Sequence, residues 1–95
     1  MKFEWDPSKA RRNVAKHGVS FEVARQVWDD PLHVIVPDRF EDGEERWHAI
    51  GIVGSVAILA VVHCYPDEDD VERVRIIGAR KATPQERRRY AQEGA

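Results

Sequence analysis

Between Arg73 and Tyr90 the chain carries seven basic residues (Arg73, Arg75, Arg80, Lys81, Arg87, Arg88 and Arg89) against Glu86 alone, a local net charge of +6. From Met1 to Glu72 the balance reverses, with eight Lys/Arg against fifteen Asp/Glu, a net of −7. A guanidinium is a planar fork that can grip two phosphate oxygens at once, so the arginine-rich segment permits a phosphate site. It also permits a salt-bridged surface, with Arg73 and Arg75 pairing with the acidic stretch Asp67–Asp70. Strand alternation puts Arg73, Arg75 and Ile77 on one face, with Val74 and Ile76 pointing into a core. Arg80 is then expected just past the strand end.

Other residues of chemical interest lie upstream. Lys9, Arg12 and Lys16 recur at i, i+3, i+7 and draw a basic stripe along a helix, which is either a binding face or simply a solvated one. His17 falls in the last helical turn, where the helix dipole favours imidazolium; it suits a phosphate contact, a general acid or a C-terminal cap. Arg46 shares a strand face with His48, Ile50 and Ile52. It can hold phosphate or pair with an acidic neighbour such as Glu45 or Glu72. Glu86 and Tyr90, four apart on a helix, face the same side; Glu86 can complete a capping box and Tyr90 can pack on the sheet. His33, His48 and His63 show no metal-ligand spacing with acidic partners, so no metal and no cofactor is expected.

The elements that must position these residues follow from local pattern. Lys2–Trp5 alternates as a strand with Phe3 and Trp5 on one side. Asp6-Pro7 opens a helix that runs to about His17 and stops at Gly18. Ser20 begins a second helix with Phe21, Ala24 and Trp28 on one stripe, ended by Asp29-Asp30-Pro31. His33–Pro37 is β-rich. The charged turn Glu41–Glu44 leads into a strand from about Arg46 to Val53, and Gly54-Ser55 is a two-residue hairpin signal. Val56–His63 is apolar on both faces and belongs at the sheet centre; Val71–Gly78 is the next strand. Thr83-Pro84-Gln85-Glu86 has the parts of a capping box and starts a helix to about Gln92. The expected fold class is α+β, β-α-α-β-β-β-β-α, an antiparallel sheet packed by helices.

Ninety-five residues point to a single domain, 1–95, with a modest core. Cys64 is the lone cysteine, so an internal disulfide is excluded, and its apolar surroundings imply a buried thiol. The opening residues MKFEWDPSK carry charges where a signal peptide needs an apolar stretch, and no run approaches membrane-spanning length. A cytoplasmic protein with no membrane association is the expectation.

Three blocks stand together: FEWDPSK..RNVAKHGVSFEVA..VW.D, then EERW..IG, then RVRIIGARKATPQERRRY. The combination resembles the BrnT family of type II toxins over about residues 3–90. The resemblance implies a RelE-like fold and metal-independent endoribonuclease activity that inhibits translation and growth. It further implies neutralisation by a BrnA-like ribbon-helix-helix antitoxin, a 2:2 heterotetramer, and contact with operator DNA only through the antitoxin.

Metal-free RNA cleavage requires a base for the ribose 2′-hydroxyl, cations for the charge on the phosphorane, and an acid for the departing 5′ oxygen. On this reading Arg46, Arg75 and Arg80 hold the phosphate, Lys16 and His17 come next, and Glu45 or Glu86 serves as an acid–base group. Lys9, Arg12, Arg73 and Tyr90 would contact RNA. The reading demands that these cations, far apart in sequence, meet unneutralised in one cleft. Its rival is a non-catalytic module that docks an antitoxin or acts as co-repressor; a gyrase poison is a third possibility, supported by fold analogy alone.

Overall fold

The computed structural model describes residues 1–55 and 57–93. Its order is β1 (Lys2–Glu4), α1 (Pro7–His17), α2 (Phe21–Ala24), β2 (Val34–Glu41), β3 (Glu44–Val53), β4 (Ala57–Cys64), β5 (Arg73–Lys81) and α3 (Pro84–Glu93). The second helix is shorter than its pattern suggested and continues as a 3-10 turn over Arg25–Asp29. Five strands form one sheet in the order β1-β5-β4-β3-β2. The last four strands make the expected antiparallel meander, whereas β1 joins β5 in parallel.

Local signals set most boundaries. Asp6 accepts a hydrogen bond from the Ser8 amide (2.9 Å), Pro7 takes the first helical position, and Gly18 ends α1 at φ 71°. Ser20 Oγ accepts from the Val23 amide (3.1 Å) and starts α2. The turn between β2 and β3 has positive φ at both Asp42 (54°) and Gly43 (77°), as a type I′ hairpin requires. At the next hairpin Val53 is in register with Ala57, so the connection is longer than the two-residue turn expected at Gly54-Ser55. Val56, expected to open β4, lies outside the described residues.

The two sheet faces are covered differently. One face carries Ala49, Leu59, Val61, Val74, Ile76 and Ala79, and packs against Val19, Phe21, Ala24 and Val27 from the α1–α2 side. Trp5 joins this core edge-on to Phe21, as its alternation with Phe3 suggested. Asn13 clamps α1 to it: the side-chain amide donates to Val19 O and Ala79 O (2.8 Å each) and accepts from Ala79 N (3.1 Å). The opposite face holds a smaller cluster of Val36, Ile50 and Ala60, with Tyr90 of α3 packed on it. Among the described residues no helix is long and apolar enough to cross a membrane.

Candidate active site

Arg73 and Arg75 enter on the face away from α1. Arg80, five residues beyond Arg75, would fall on the other face by simple alternation. The register prevents this. Cys64 pairs with Arg75, His63 with Ile76 and Val62 with Gly78, so Ile77 is an extra residue in β5. This bulge resets the alternation. Ala79 turns into the core, and Arg80, paired with Ala60, joins Arg75 on the outer face. Arg80 therefore lies within β5, not past its end, because the strand continues to Lys81. Arg46 and His48 on β3 share that face, since Ala49 between His48 and Ile50 belongs to the other one.

The tightest group gathers at Arg80. Its guanidinium forks onto Glu86, with Nη1–Oε1 at 2.7 Å and Nη2–Oε2 at 3.1 Å. Glu86 also completes the capping box: its Oε1 accepts from Thr83 N (2.8 Å) and its amide donates to Thr83 Oγ1 (3.2 Å). His48 stands beside them, with Nδ1 3.6 Å from Glu86 Oε2 and Nε2 3.7 Å from Asp38 Oδ2. Burial pushes the Glu86 carboxyl upward, but Arg80 and the Thr83 amide outweigh it, together with the charges of Arg80 and His48, and bring it down to about 2. Arg80 is held above its usual range by its bond to Glu86. Glu86 is thus a carboxylate at neutral pH and has no proton to give as an acid. It is hydrogen-bonded to Arg80 and lies beside His48.

The sheet arginines do not meet unneutralised. Glu4 of β1 reaches Arg73 Nε at 2.7 Å and Arg75 at 3.0 Å (Nε) and 2.8 Å (Nη2). The Glu4 carboxyl is lowered by these two hydrogen bonds, Arg73 first. The cause is the parallel pairing of β1 with β5, which sets Glu4 opposite Arg75. Asp67 and Asp70 instead accept backbone amides of their own turn. Arg46 pairs with Glu41 (2.9 Å) and Asp42 (3.4 Å), with Glu44 at 3.9 Å, so its partners come from the hairpin and are neither Glu45 nor Glu72.

Other candidates fall elsewhere. Lys9, Arg12, Lys16 and His17 ride on α1, which packs against the face opposite the arginines, so they do not join the Arg80 group. Among the described residues Lys9, Arg12 and Lys16 take part in no ion pair. Glu45 lies beside Trp47, Tyr65 and Arg73 in a depression of about 890 Å³. Tyr90 donates its hydroxyl to Asp30 Oδ2 (2.6 Å), and Asp30 also accepts from Ile52 N and Leu32 N. That tyrosine fastens α3 to the sheet. Sequence reasoning missed Glu4, Asp38 and Asp30 as partners, and weighed His48 only as a metal ligand and a neighbour of Arg46. The alternation of Arg46 with His48 on one strand was the available signal.

A single sheet with helices on both faces, and a His–Arg–carboxylate group on the face beneath α3, describes a small α+β protein with a cluster of ionisable side chains on one sheet surface. Residues 5–86 match the family described as the ribonuclease toxin BrnT of type II toxin–antitoxin systems. The chain belongs to this family. A crystal structure of the Brucella abortus ribonuclease toxin BrnT is similar, with a TM-score of 0.66 and 30% identity over 87% of this chain and 97% of that one. No curated protein gives a significant match.

Proposed function

We propose that this toxin cleaves RNA without a metal ion at the group formed by His48, Arg80 and Glu86, with Arg46 and Arg75 holding flanking phosphates. The observation that carries the reading is the meeting of side chains from β3, β5 and α3, with Asp38 of β2, on one sheet face. Imidazole exchanges protons near neutrality. His48 takes the proton of the 2′-hydroxyl as that oxygen bonds to phosphorus, and Arg80 offsets the charge gathering on the phosphorane. The bond to the 5′ oxygen breaks, that oxygen takes a proton from water, and a 2′,3′-cyclic phosphate remains. Arg75 is 43% exposed in its side chain, so its pair with Glu4 is a weak surface one that an incoming phosphate can displace.

The test is cleavage of an RNA oligonucleotide by the purified protein in excess chelator. Cyclic-phosphate ends are expected, with activity lowered about 100-fold or more in His48→Gln, since a general base contributes roughly 10²–10⁴. Arg80→Lys should lose activity while its urea midpoint shows it folded. Cleavage abolished by the chelator, or full activity in folded His48→Gln, rejects the proposal.

In the cell, such cleavage would block translation and growth until a BrnA-like antitoxin binds. The assembly would be a 2:2 heterotetramer reaching operator DNA through the antitoxin. One observation favours a second reading: Arg46, Arg73, Arg75 and Arg80 are each paired with a carboxylate. A non-catalytic co-repressor predicts no growth arrest and no RNA decay when the chain is expressed without its partner.

A further inference from the structure

A second concavity lies on the α1–α2 side, away from the arginine face. It measures about 330 Å³ and is lined by Val14, Val19, Val23, Val53, Ala57 and Leu59. Val14 is 46% exposed and Val23 40%, so two aliphatic side chains are open to solvent at this groove. The ionisable groups lining it are His17 and Lys81, and no carboxylate does so among the described residues. Lys9, Arg12 and Lys16 lie on the opposite flank of α1 from Val14 and do not line it.

We propose that this groove receives an aliphatic segment of the cognate antitoxin, carrying an acidic residue that meets Lys81. A type II toxin has such a partner, so the inference rests on family membership and not on the catalytic reading above. The lining favours a peptide over RNA. It offers methyl-bearing side chains for the apolar face of a helix, and no aromatic ring on which a base could stack. The charge pattern agrees: Arg46, Arg73, Arg75 and Arg80 are matched by carboxylates, whereas Lys81 at the groove takes part in no ion pair among the described residues. An antitoxin seated here leaves the sheet face of His48 physically separate from the docking groove.

The test titrates the purified cognate antitoxin against the full chain carrying Val23→Glu or Lys81→Glu, with Val23→Ser as a milder companion. Circular dichroism confirms folding. Antitoxin affinity is expected to fall at least tenfold in both Glu variants and less in Val23→Ser. The affinity of the native chain should weaken as salt rises, and RNA cleavage by the variants should match the native level. The same variants are titrated with a single-stranded RNA oligonucleotide. Unchanged antitoxin affinity in the folded Glu variants overturns the proposal, as does loss of RNA affinity with antitoxin binding intact. Should the native chain cut no RNA at all, the binding titration still decides the groove, because it does not read activity.

Discussion

His63 is wholly buried, in edge contact with Trp28 (4.9 Å between centroids) and Tyr65 (5.2 Å). Its Nδ1 lies 3.2 Å from Val61 O and its Nε2 3.2 Å from the Tyr65 hydroxyl, partners that suit a neutral ring with the proton on Nδ1. Burial pushes the imidazole down to about 4, with the charges of His48 and His33 adding to it and the Val61 carbonyl opposing. The unfolded chain protonates this residue first as pH falls. Its contribution is therefore complete above about pH 6.5, the ordinary value, and drains away towards pH 4. The shift corresponds to about 3 kcal/mol at most. Urea midpoints compared at pH 7.5 and 4.5 should fall less in His63→Gln than in the native chain; equal falls would refute this. That His63 packs in an apolar strand was legible, as was the buried thiol of Cys64, which burial and then Glu44 push up to about 11. The partners of the arginines were not legible. Which carboxylate neutralises a cation depends on which strands become neighbours, and Glu4 is 69 residues away from Arg73 in sequence.

Elements that begin and end on local chemistry were the readable ones: Asp6-Pro7, Gly18, Ser20 and Thr83–Glu86 all act where their spacing placed them. The Ile77 bulge leaves no comparable mark, because it exists only relative to the register of β4. It nonetheless decides whether Arg75 and Arg80 share a face. Gly51 shows the same dependence on a distant element. A Cβ there would stand 2.9 Å from Val27 Cγ1, 3.1 Å from His33 Cβ and 3.2 Å from the Val27 carbonyl oxygen. That space is what lets the 3-10 turn lie flat on β3. Gly51→Ala is expected to cost about 1–3 kcal/mol, as overpacking does, visible as a lower urea midpoint. An unchanged midpoint would mean that the turn shifts freely.

Across the whole molecule, carboxylates tie together segments that sequence keeps apart. Glu4 joins β1 to β5, Glu86 joins α3 to β5, and Asp30 joins the Tyr90 hydroxyl of α3 to the β3 backbone at Ile52. All three are held below their ordinary values against burial, which is the largest single effect for Asp30 and Glu86. Stability from such groups is present above the unfolded carboxylate range and is lost as pH falls through the folded value. For Glu86 that window runs from about 4.5 down to about 2. The chain should unfold progressively across it, and Glu86→Gln should flatten the lower part of an acid titration followed by circular dichroism; an identical curve would count against the tie.

The three residues of β1 have a consequence for synthesis. They are made about 70 residues before Arg73–Arg75, against which they lie. As translation proceeds, β1 waits without a strand partner until β5 clears the ribosome. A polypeptide halted anywhere before that point lacks its outermost strand, and Glu4 has no arginine to hold.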